Sequence, residues 1–150
     1  MSARQPSPSD RIGRALPALS LMLYGLCLLA PAYKVDGSGS GGAYPGWVTL
    51  LLGPIGLLGG HISWLANPAL CYSWVMLSRR NYPAASTSAS IALVAALTFP
   101  FYSTVPVGGS GNFSFSAQYG YYMWLASIVL ALASGMAGGA GRASVGQASE

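Results

Sequence analysis

The run Pro54 to Ser78, PIGLLGGHISWLANPALCYSWVMLS, carries no formal charge, and it limits what the chain can fold into more than any other stretch. About 25 residues at roughly 1.5 Å each cover about 37 Å as a helix, enough for a hydrocarbon slab of about 30 Å with some tilt. The rest of the chain agrees with a lipid solvent. Charged residues make up 7% of it, against roughly 25% in an ordinary soluble domain, too few to build a water-facing surface. The basic residues come in ones, twos and a spread N-terminal trio, so the net charge of +4 reads as a topology signal and not as a nucleic-acid stripe.

The expected fold is an all-α membrane protein with four transmembrane helices at about 12–32, 54–78, 83–102 and 120–139. Disordered tails are expected over 1–10 and 140–150. Glycine and serine fill the stretches after the first and third spans, 33–46 and 103–119, which read as loops. In the second of these, Phe113 and Phe115 alternate as a short extended piece would. Trp47 to Gly53 is too short to span and reads as an interfacial or a re-entrant segment, with Pro54 opening the second helix. A five-span alternative splits Trp47 to Ser78 at Gly59-Gly60. The positive-inside bias favours four, because both termini inside place Arg4, Arg11, Arg14, Arg79, Arg80 and Arg142 on the cytoplasmic side and only Lys34 outside. The first span also has a second reading, as a secretory signal with an A-x-A site at Ala30-Pro31-Ala32.

Burying oil in oil does not join helices in lipid, so small residues mark where backbones approach. Gly56, Gly60, Ser63 and Asn67 share a face of the second helix, continued by Cys71 and Trp74. Ser88, Ala92 and Ala95 share one on the third, and Gly120, Trp124, Ser127, Ala131, Ser134 and Gly138 one on the fourth. These stripes predict the second helix against the fourth, with Trp64, Asn67 and Pro68 at the packing centre. Pro68 frees the carbonyl of Trp64 and should kink the helix. Asn67 can then serve either as interhelical glue or as part of a ligand site.

Much chemistry lacks its residues. Asp10, Asp36 and Glu150 are the only acids and none lies in a span, which leaves no carboxylates for proton relays or paired-acid hydrolysis in the membrane. No serine sits in a Gly-x-Ser-x-Gly elbow, and Gly37 to Gly42 has no lysine for phosphate. His61, projecting with Leu58, Leu65 and Tyr72, is the sole histidine. With two cysteines distant from each other, Cys27 and Cys71, it gives no metal-ligand spacing, so it stays a minor ligand candidate. No catalytic residue, cofactor or metal is expected.

Gly46-Trp47 with Leu50 to Gly53, then Ser63-Trp64-Leu65-Ala66-Asn67-Pro68 and the closing Arg79-Arg80, resembles a loose group of small uncharacterised bacterial multi-span inner-membrane proteins. The likeness runs from about Leu21 to Leu132. It implies a bacterial cytoplasmic membrane and no activity. The expectation is a non-enzymatic accessory, scaffold or partner-binding subunit, with the bilayer, other membrane proteins or a second copy as partners and no nucleic acid. An immunity-type protein that meets a toxin through its outer loops is the alternative, and a small pore or transporter the second.

Overall fold

The computed structural model describes residues 8–36, 42–102, 104–107 and 111–147. Among them are five α-helices: α1 Pro8–Leu29, α2 Gly46–Leu58, α3 Ala66–Ser78, α4 Tyr82–Leu97 and α5 Tyr119–Gln147. Short 3-10 turns, Ile62–Leu65 and Phe99–Phe101, lead into α3 and out of α4. The 3-10 extended α4, Tyr82–Phe101, and Tyr119–Gly141 of α5 are each long and apolar enough to cross a membrane. Ala15–Leu29 and Gly46–Leu58 are shorter apolar helices.

Four helices form the bundle, with α3 against α4, α4 against α5 and α5 against α1. The contacts between α3 and α5 are slight, so the pairing read from the small-residue stripes is corrected to α3 with α4. Alanine makes this closeness possible: Ala66, Ala89, Ala92, Ala96 and Ala131 are fully buried around Leu70 and Ile128. Serine hydroxyls close the seams, since Ser73 donates to the carbonyl of Ala85 at 2.9 Å and Ser88 to that of Ala69 at 2.7 Å. Ser20 donates to the carbonyl of Ser127 at 2.7 Å, joining α1 to α5, and accepts from the Trp74 indole at 3.0 Å, joining α3.

The second predicted span is not one helix. At Gly60, φ is +82°, a left-handed residue that only glycine adopts without strain. Around it His61 N–H reaches the Gly56 carbonyl and Gly60 N–H the Leu57 carbonyl, both at 3.0 Å, which closes α2 with a Schellman cap. Arg80, at φ +58°, ends α3 the same way, with Asn81 N–H on Met76 and Arg80 N–H on Leu77. Asn81 then caps α4 through the N–H of Ala84, giving a tight hairpin. Gly60 therefore stops a helix and approaches nothing: a Cβ there would meet open space. Past this break the helical register read from Gly56 no longer holds. The buried side of α3 is Ala66, Leu70, Ser73, Met76 and Leu77, while Cys71 is exposed.

The glycine-rich loops hold the other departure from an all-α reading. Strands β1 Pro31–Asp36, β2 Ala43–Pro45, β3 Thr104–Val107 and β4 Gly111–Ala117 make one antiparallel sheet in the order β2-β1-β4-β3. Its central pair, Tyr33 with Ala117 and Lys34 with Ser116, joins two loops far apart in sequence. At the sheet end of the bundle, Gly46 N–H donates to the Ala30 carbonyl at 2.9 Å, and the Tyr102 hydroxyl donates to the Gly60 carbonyl at 2.9 Å. Both ends of α2 are thus held at that end, so α2 runs across the bundle and adds no pass along it. Pro54 lies inside α2 instead of opening a span. The region read as a C-terminal tail is helical through Gln147, and α1 begins at Pro8. Residues 1–7, 37–41, 103, 108–110 and 148–150 lie outside the described residues.

Candidate functional site

Two prolines determine how the chain is tied together beneath α2. A proline inside a helix leaves the carbonyl four residues earlier without its N–H partner. Pro54 releases the carbonyl of Leu50, and the Trp64 indole N–H takes it at 2.9 Å. Pro68 stands opposite the Trp64 carbonyl, which accepts from Asn67 Nδ2 at 3.2 Å. The remaining acceptor of Asn67, Oδ1, receives the Tyr24 hydroxyl of α1 at 3.1 Å. Leu50, Trp64, Asn67 and Tyr24 therefore form one hydrogen-bonded chain from α2 through α3 to α1. Asn67 has a partner at each end of its amide, as interhelical glue does. The kink expected at Pro68 is a change from 3-10 to α-helix just before it.

Above this chain lies a mostly apolar cavity of about 690 Å³. It is bounded by α1 at Tyr24 and Cys27, by α2 from Gly46 to Leu58, by Tyr33 of β1 and by the first turns of α5. The rings of Tyr33, Phe99, Tyr121 and Trp124 form one wall, and Tyr44 continues their run beyond the lining. Tyr44 stacks on Tyr33 at 5.2 Å, Tyr33 meets Phe99 at 6.5 Å, Phe99 stacks on Tyr121 at 5.1 Å, and Tyr121 meets Trp124 at 6.1 Å. The Tyr121 hydroxyl donates to the Ala96 carbonyl at 3.3 Å. Burial pushes the Tyr33 phenol up from its ordinary pKa, with neighbouring Tyr44 adding to the shift, so the Tyr33 ring stays neutral. No formally charged side chain among the described residues lines the cavity.

Among the described residues Trp124 is the exception in an otherwise satisfied interior. It lines the cavity, and its indole N–H is buried without an acceptor. Leaving such a donor unpaired costs about 1–3 kcal/mol, whereas the indoles of Trp64 and Trp74 both have partners.

The structure brings together only part of the residues that the sequence singles out. Gly56, Ser63, Trp64 and Asn67 line the cavity, whereas Ser127 and Ala131 are buried in the bundle below it. Pro68 is exposed at the start of α3, and Gly60 stands in the turn. His61 does not project along a helix with Leu65 and Tyr72. It sits in the turn, its ring 4.4 Å from that of Tyr102, and also lines the cavity. No group of three metal-ligating side chains comes together among the described residues. Sequence reading missed Tyr24 as a partner of Asn67. Its one available signal is a lone phenol in the apolar run ALSLMLYGLCLL.

Comparison with protein families, with curated proteins and with solved structures returns no match.

Proposed function

We propose that this is a four-span protein of a bacterial cytoplasmic membrane, both termini inside, which acts without catalysis as a binding or accessory subunit through its sheet-capped outer end. The observation that carries the membrane part is an inverted distribution of polarity. Leu21, Met22, Leu26, Ile91, Val94, Val129 and Met136 are exposed around the bundle, while Ser20, Ser73, Ser88, Ser127 and Ser134 are buried within it. Water would reverse that arrangement, and lipid accepts it. In this reading α1, α3 with its 3-10 turn, α4 and α5 cross the bilayer, and α2 lies in the outer interface with Trp47 at headgroup level. Residues 62–78 reach only about 27 Å, so the bilayer thins slightly or Arg79 and Arg80 snorkel to the inner surface. Cleavage after Ala32 would remove the α1 seam against α5, which speaks for a retained first helix.

The binding part rests on the outer end, where a sheet, an in-plane helix and a cavity meet. Toxin immunity draws on the same feature, since both outer loops join one sheet able to present a single surface. A pore is disfavoured, because the Tyr24, Asn67 and Trp64 bonds and the Trp74, Ser20 and Ser127 node close the bundle below the cavity. Fractionation of expressing cells tests the membrane claim. The chain is expected to stay in the membrane pellet after alkaline carbonate and to leave it only with detergent. Release by carbonate alone would contradict it.

A further inference from the structure

We propose that the cavity beneath α2 binds a neutral lipid bearing a carbonyl oxygen, with the Trp124 indole N–H as the donor that orients it. The inference rests on the membrane reading and adds the ligand class to it. Three observations lead there. The lining is mostly apolar and carries no formal charge, so it selects against phosphate and ammonium headgroups, and its volume of about 690 Å³ suits a ligand of lipid or drug size. The rings of Tyr33, Phe99 and Tyr121 line the cavity and offer aromatic surface to a chain or a planar head. Trp124, in the second turn of α5, carries the one buried side-chain donor without a partner among the described residues.

The depth of these groups fits. Tyr24, Asn67 and Trp124 each stand five residues from the sheet end of α1, the 3-10 turn or α5, roughly 8 Å below it. In the membrane reading that is just inside the outer hydrocarbon boundary, where ester carbonyls and quinone heads reside. The Trp124 N–H is buried without an acceptor while the residue lines the cavity, so binding a carbonyl there requires the indole to turn toward the ligand. Access is lateral, from the bilayer past α2, a helix with no buried residue. Two sources share this chemistry, an acyl ester and an isoprenoid quinone, and the test separates them.

Full-length protein in detergent would be titrated with dioctanoylglycerol, decylubiquinone and, as the acceptor-free control, decylbenzene, following tryptophan fluorescence and thermal shift. Saturable binding of either carbonyl probe is expected, and the tighter of the two names the source. Trp124→Phe keeps the ring and removes the N–H. It should weaken that probe about fivefold to tenfold and leave decylbenzene unchanged. Gly56→Phe, on the cavity wall, should weaken all three. Equal loss for decylbenzene in Trp124→Phe would overturn the orienting role, and no saturable binding of either carbonyl probe would overturn the proposal. Because carbonate extraction tests membrane residence separately, failure here leaves that reading standing.

Discussion

Leu70→Ala is expected to destabilise the bundle by about 2–3 kcal/mol, read as the shift in the midpoint of denaturant unfolding in detergent. Leu70 is 0% exposed and is packed among Ala66, Ala92, Ala96 and Ile128 where α3 meets α4 and α5. In water such a truncation loses a transfer term and leaves a cavity. In lipid or detergent the transfer term shrinks, because the unfolded helix also keeps its leucine in oil. The cavity term survives: the neighbours are alanines with no side chain long enough to fill the void, so lost dispersion contacts are not regained. A lipid-facing control, Val94→Ala, should change the midpoint by less than about 0.5 kcal/mol. Equal effects at the two positions would mean that α3 and α4 do not meet in this register.

Gly53→Val is expected to detach α2 while leaving the bundle folded. A Cβ at Gly53 would overlap the Trp64 indole. The ring carries the hydrogen bond to Leu50 O, and Pro54 has removed the only helical donor that could replace it. Moving the ring breaks the bond and leaves a carbonyl and an indole N–H unpaired, a local cost of about 2–4 kcal/mol. None of the residues of α2 is buried, so between the bonds at its two ends little else holds the helix. Amide exchange over 46–58 should accelerate at least tenfold, as a loss of about 1.4 kcal/mol or more in local opening free energy requires, with exchange in α4 and α5 unchanged. Gly56→Ala on the same helix is the contrast. Its Cβ would meet His61 Cβ at 3.5 Å, an ordinary contact, and exchange should stay near wild type. Equal exchange in the two variants would refute the Trp64 lock.

These two cases show where the fold is legible in the sequence. The stripes Ser88, Ala92, Ala95 and Ser127, Ala131, Ser134 are buried as their 100° spacing implies, because α4 and α5 are uninterrupted and keep register over their length. The stripe from Gly56 to Cys71 fails, since one left-handed residue at Gly60 rotates everything after it. At Pro68 the proline rule identifies the freed Trp64 carbonyl, and the donor that takes it, Asn67 Nδ2, is its near neighbour in sequence. At Pro54 the donor is Trp64, which reaches Leu50 only after the chain turns back. Of the sheet, only the Phe113 and Phe115 alternation in β4 was legible; the other strands are short and gain their stability from pairing across the fold, and Tyr33 says nothing locally about Ala117. The cavity follows from that same folding back and has no signal in any one segment.

The central claim is that the Arg79 to Asn81 hairpin and the sheet lie on opposite sides of a membrane. Single cysteines at Asn81 and at exposed Ser116, each placed in a Cys27→Ala, Cys71→Ala background, would be labelled in intact cells with an impermeant maleimide. Labelling is expected at Ser116→Cys in intact cells, and at Asn81→Cys only after the membrane is opened. Labelling of Asn81→Cys in intact cells would contradict it.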